Sequence, residues 1–215
     1  MTKIQFYFDP GCPWCWNASR WIKEVQKTQK VDVEWMSFSL SMKNGDRMNK
    51  DYLEKFKKSQ EMLRIIEAAK EKYNGKLTDA LYTEFGIKIH NDKDFSDAAI
   101  SEVLKNVCSI DYDELLEAKN NDELDKRIRH SMSSAFDVVG KDVGIPIIVF
   151  EDGNKKLGYF GPVLSQVPIG KDAINVWEGV SKLASYNHFF ELKRTRDESA
   201  TAPKNIKDEP RPNIC

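Results

Sequence analysis

The sequence predicts an α/β protein in which a small sheet is interrupted by a large all-helical insertion between its second and third strands. Three observations carry that prediction. A β-branched and aromatic run at residues 4–8 leads through Asp9-Pro10-Gly11 into a helical segment and a second alternating strand. From about residue 49 to 140 the apolar spacing lengthens to about 3.6 with no strand pattern. Strand patterning then returns at residues 143–150, followed by a hairpin and a last amphipathic helix.

The first strand, residues 4–8, is broken by Asp9-Pro10-Gly11, and a helix starts at about Pro13, where proline suits the first turn, and runs to about Thr28. Trp21, Ile22 and Val25 are its core stripe. Val31, Val33 and Trp35 alternate with Asp32 and Glu34, which makes residues 31–38 a second strand. A helix between two strands favours a parallel pair with a right-handed crossover. Tyr52, Phe56, Leu63 and Ile66 mark a long helix to about Tyr73, closed by Asn74-Gly75. Helices at 77–85 and 95–107, a short one around Leu115-Leu116, and one striped by Leu124, Ile128, Met132, Ala135 and Val139 follow. Such a stretch is too long for a loop and reads as an inserted subdomain.

Pro146 belongs at the start or edge of the third strand, because it has no N–H to give to a ladder. Asp152-Gly153 turns the chain into a strand ending at Gly161-Pro162, and residues 171–184 form the last helix. The order is that of the thioredoxin fold with a helical insert. The domain expectation is therefore 1–48 with 141–196 as the thioredoxin-like domain, 49–140 as the helical cap, and a proline-bearing 197–215 as an extended or disordered tail.

Composition excludes several classes of function. The 33 basic and 34 acidic residues leave a net charge of −1, which gives no pull toward nucleic acid or an anionic membrane. Four cysteines in 215 residues are not a disulfide framework. Met1-Thr2-Lys3 leads straight into a strand, and no span of about 18 apolar residues occurs. The expectation is a cytoplasmic protein, where a C-x-x-C pair is kept reduced and acts as a reductant.

The chemistry sits in Cys12-Pro13-Trp14-Cys15. At a helix start the unpaired N–H groups and the positive end of the dipole favour an anion such as a thiolate, and two intervening residues let Cys15 reach Cys12 to close a disulfide. Zinc would need a second pair, and neither another C-x-x-C nor an H-x3–5-H is present. No metal and no tightly bound cofactor are expected. Cys108 ends an apolar stripe and reads as a buried structural residue, and Cys215 as an incidental exposed thiol.

Several blocks resemble the thioredoxin-fold oxidoreductases of the DsbA-like class, in particular the cytosolic mycothiol-dependent nitroreductases of actinobacteria. They are Phe8-Asp9-Pro10 with Cys12-Pro13-Trp14-Cys15-Trp16, Ser19-Arg20-Trp21-Ile22, Leu81-Tyr82-Thr83, Ile89-His90-Asn91, Val139-Gly140 with Asp142-Val143-Gly144, Phe160-Gly161-Pro162-Val163-Leu164-Ser165, Ala184-Ser185-Tyr186 and residues 188–196. The resemblance implies a thiol-disulfide reductase fed by a low-molecular-weight thiol, mycothiol or alternatively glutathione, acting on disulfides or small electrophiles and on some nitroaromatic compounds. In that fold Cys12, nearer the helix start and more exposed, is the nucleophile, and Cys15 resolves the mixed disulfide. A cis Ile145-Pro146 bond, also implied by the resemblance, turns the Ile145 backbone toward the incoming disulfide, which pairs there like an added strand. Ile145 stands where threonine is expected. Pro13 and Trp14 at the cysteine pair, and His90 and Tyr82 in the insert, complete the candidate substrate-binding set. A kappa-class glutathione transferase or isomerase relative, with one activating thiol, and a thiol-dependent holdase are the alternatives. The protein is expected as a monomer or homodimer.

Overall fold

The structure, a computed structural model, describes residues 2–107, 110–153, 155–204 and 206. Cys108 and Cys215, with the roles expected of them, lie outside the described residues. The chain runs β1 (Thr2–Phe8), α1 (Pro13–Gln26), β2 (Val31–Ser37), α2 (Leu40–Asn44), α3 (Lys50–Lys72), α4 (Thr78–Gly86), α5 (Asp97–Asn106), α6 (Tyr112–Ala118), α7 (Asp125–Val139), β3 (Ile147–Asp152), β4 (Lys155–Phe160) and α8 (Gly170–Ala184). This is the thioredoxin fold with a helical insertion after the second strand. α2, a 3-10 turn at Gly45–Arg47 and a π turn at Ile87–Asn91 add to the elements read from the sequence.

The chain gathers into two compact units. One holds β1 together with Cys12–Met36 and Ser133–Pro203, and the other holds Asp9–Gly11 and Ser37–Met132. The changeovers lie at Ser37 and Ser133 rather than at 49 and 140. The physical reasons are local: α2 hangs on α3 through Ser39 and Ser41, which both bond Gln60 Oε1, whereas the end of α7 packs on β4. A Cβ on Gly158 would stand 2.9 Å from Val139 Cγ1 and 3.0 Å from Val138 Cγ1, so this strand position has no room for a side chain.

In the sheet unit the strand order is β2-β1-β3-β4. β3 pairs antiparallel with β1, Tyr7 opposite Ile147, and with β4, Ile147 opposite Phe160. β3 begins only after Pro146, whose ring leaves no ladder donor; its carbonyl still accepts from Gly161 N at 2.7 Å, continuing the β3–β4 register by one step. Ile145-Pro146 and Gly161-Pro162 are both cis. Trp21 and Ile22 of α1 are fully buried, the Trp21 indole donates to Ala173 O at 2.9 Å, and its ring meets Trp177 at a tilt, as Trp177 meets Phe150. Leu183 turns outward, and Ala184 takes its place in the core.

The helical unit is built on α3. Met62, Leu63, Ile65 and Ile66 are fully buried, as are Leu81, Phe85, Ile100 and Ile128 of the same unit, while Tyr52, read as part of the apolar stripe, is 60% exposed on the first turn. Arg64 grips Asp125 with two nitrogens, at 2.7 and 2.9 Å, and donates to Lys119 O at 3.1 Å.

Candidate active site

Cys12 is the N-cap of α1, with extended backbone (φ −85°, ψ 112°) and no side-chain cap bond. Its carbonyl accepts from Trp16 N at 3.0 Å and closes the first turn. Pro13 fills the first helical position, where a missing N–H costs nothing, and is exposed. Cys15 falls on that same turn. The two sulfurs are not joined in a disulfide, and both residues are buried, Cys12 at 3% and Cys15 at 0%.

Trp14 is half-buried, and the Arg196 guanidinium lies over its ring at 5.3 Å, a cation–π contact. Asn17, one turn along α1, donates to the carbonyls of Leu164 and Ser165 at 3.0 and 2.9 Å and ties the helix to the segment after β4. Ile145 and Pro146 are buried. Carrying the β1–β3 register one step past Tyr7–Ile147 sets Pro146 opposite Phe8, at the end of the sheet where the chain leaves toward Cys12. The structure therefore brings Cys12, Pro13, Trp14, Cys15, Ile145 and Pro146 into one unit, at one end of its sheet.

Tyr82 and His90 belong to the helical unit. Tyr82 is fully buried in α4. His90 sits on the π turn with its Nε2 2.8 Å from Pro10 O; a carbonyl only accepts, so Nε2 carries the proton. The same unit holds the rest of the tripeptide before Cys12. Gly11 N donates to Ser59 Oγ at 2.7 Å and to Asp9 Oδ1 at 2.9 Å, the Ser59 hydroxyl donates to Asp9 Oδ1, and Leu40 N donates to Asp9 Oδ2 at 2.8 Å. Complete burial pushes the Asp9 carboxyl up to about 6 even though three donors favour its charged form.

Ser59 and Asn17 were not singled out from the sequence, and Asp9 and Arg196, though in the resembling blocks, were given no site role there. Asp9 looked like a turn-former before proline. Ser59 carried a readable signal, a lone hydroxyl on the apolar stripe of Phe56, Leu63 and Ile66. Arg196 carried none, since its partner is 182 residues away. Among the described residues no group of three or more His, Cys, Asp or Glu is placed to hold a metal ion, and no helix is long and apolar enough to cross a membrane.

The chain is similar to several known proteins. A protein of Mycobacterium tuberculosis (strain ATCC 25618 / H37Rv) described as uncharacterized protein Rv2286c is 30% identical over 202 residues, covering 91% of this chain and 83% of that protein. Among solved structures the fold is similar to the cytosolic disulfide reductase DsbM from Pseudomonas aeruginosa, with TM-score 0.57 at 15% identity, covering 84% of this chain and 99% of that one. The same protein with GSH matches with TM-score 0.53 at 16% identity, covering 72% and 89%. Residues 11–194 match the family described as Rv2466c-like, mycothiol-dependent nitroreductase Rv2466c. With its C-x-x-C pair on the first turn of α1 and a DsbA-like fold around it, the chain belongs to this mycothiol-dependent nitroreductase family of thioredoxin-fold oxidoreductases.

Proposed function

We propose that the protein is a thiol-disulfide reductase whose Cys12–Cys15 dithiol is recharged by a low-molecular-weight thiol, mycothiol in the first place. The observation that carries this is the pair itself: an N-cap cysteine at the helix start and a second one on the first turn inside it. The Cys12 thiolate attacks a substrate disulfide, forming a mixed disulfide and releasing one thiolate. Cys15 then attacks Cys12 Sγ, expels the second thiolate and leaves the Cys12–Cys15 disulfide. Two molecules of donor thiol return the two electrons and two protons and depart as their own disulfide. A nitroaromatic acceptor takes the same two electrons and two protons, giving a nitroso compound and water. Ile145 and Pro146 form the wall along which a disulfide substrate lies, and Trp14 offers its ring to the ligand.

Family membership supports mycothiol, and the GSH complex of a structural neighbour supports a small thiol as the donor. The test starts from oxidised protein and follows tryptophan fluorescence as mycothiol, glutathione and a thioredoxin are offered in parallel. Fast reduction by mycothiol alone is the expected result, and Cys12→Ser loses more than about a thousandfold in turnover. Preference for glutathione or thioredoxin overturns the donor. A Cys15→Ser variant with full turnover overturns the two-thiol mechanism in favour of a transferase-like one.

A further inference from the structure

We infer that Asp9 and Ser59 are positioning residues, which clamp the tripeptide before Cys12 and so set where the nucleophile stands against Cys15. The inference rests on Cys12 and Cys15 being the reacting dithiol. A disulfide closes only at an S–S distance of about 2.05 Å and within a narrow dihedral range, so both Cβ atoms must be well placed. Cys15 is held by the α1 backbone. Cys12 is the half-outside residue: its side chain makes no cap bond, and its backbone is steered by what flanks it. On one side Pro13 has a fixed φ. On the other side stands Gly11.

Asp9, Pro10 and Gly11 are each held by at least one polar contact within the helical unit. Asp9 takes Leu40 N on one oxygen and Ser59 Oγ with Gly11 N on the other, Ser59 accepts Gly11 N in return, and the Pro10 carbonyl receives the His90 ring N–H. Ser59 and Asp9 are both fully buried, and a carboxylate there has no water to replace a lost donor. The fit is close as well as polar. A Cβ on Gly11 would meet Ser59 Cβ at 3.1 Å and Phe56 Cε1 at 3.2 Å, so the glycine lets the loop seat directly on α3. One peptide bond beyond this seat is Cys12. Loosening the seat lowers the effective concentration of Cys12 at Cys15, and the Cys12–Cys15 disulfide then forms less readily.

The test equilibrates the full chain with set ratios of reduced and oxidised dithiothreitol, traps thiols by alkylation, and measures the Cys12–Cys15 disulfide by peptide mass. Dithiol and oxidised dithiothreitol exchange two electrons and two protons to give the protein disulfide and reduced dithiothreitol. Ser59→Ala and Asp9→Asn each lower the constant for forming the protein disulfide about two- to tenfold, the worth of one or two lost hydrogen bonds. Ile100→Val, a core trim on α5 of the same unit, leaves it at the wild-type value. Wild-type constants in both Ser59→Ala and Asp9→Asn overturn the inference, and so does an equal fall in Ile100→Val, which would make it general loosening. Failure of the wild-type protein to form the Cys12–Cys15 disulfide at any ratio overturns the dithiol reading instead, so the two failures are distinct.

Discussion

The sheet unit and the helical unit differ in the balance of forces that hold them. In the sheet unit, the rings of Phe6 and Phe8 meet Trp35 edge-on at 5.3 and 6.1 Å, and Trp21, Trp177 and Phe150 form a second cluster. The helical unit adds charge to its apolar core. Arg64 pairs with Asp125, Lys88 with Glu102, Lys72 with Asp111 and Glu114, and Lys58 and Lys119 with Asp97. Rings and ladder bonds respond weakly to salt, whereas exposed charge pairs weaken as salt is raised and the Debye length falls below its physiological value of about 8 Å. The sheet unit carries charge pairs as well, Glu151 with Lys3 and Lys156 and Glu24 with Lys27, beside its rings. The tripeptide leading to Cys12 is seated in the other.

The largest break in this comparison is expected at Trp21. Trp21→Ala empties the fully buried centre of the sheet unit and removes the bond to Ala173 O, and urea unfolding should show a loss of about 3–5 kcal/mol, nearly independent of salt. Next comes Asp9. Its folded value of about 6 lies above its ordinary 3.8, so between those values the folded protein holds more protons than the unfolded chain, and stability falls as pH rises. The fall should approach about 3 kcal/mol once pH exceeds 7, and Asp9→Asn should flatten it. A variant keeping the wild-type pH slope between 4 and 7 would assign that slope elsewhere.

A smaller effect belongs to the helical unit. Asp125→Ala removes a part-buried acceptor shared by Arg64 and Gln60 and should cost about 1.5–3 kcal/mol. The loss should shrink on adding salt, seen in hydrogen exchange of α3 and α7. Smallest is Lys72→Gln, whose exposed pairs to Asp111 and Glu114 should leave the unfolding midpoint within error. A large Lys72 effect would erase the distinction between part-buried and surface charge.

Most of the architecture was legible because it follows from periodicity. Alternation at Val31, Val33 and Trp35 and the spacing of Leu63 and Ile66 each reflect one buried face, and burial is a local demand on the chain. The cysteine pair was legible for the same reason, since Pro13 and the preceding Asp-Pro-Gly mark the helix start on which both residues fall. Tyr52 misled because an aromatic at the right spacing near a helix end faces solvent as readily as the core.

By itself, then, the sequence determined the strand and helix order, the insertion and the place of Cys12 and Cys15, all of which depend on neighbours within a turn or two. Only the tertiary structure decided that Ser59 meets Asp9 across 50 residues, that His90 reaches Pro10 across 80, and that Arg196 lies over Trp14. These contacts join polar groups whose types are common and whose spacing has no period. What selects them is the cost of leaving a buried carboxylate, carbonyl or N–H without a partner, and that cost is set only when the chain has closed around them.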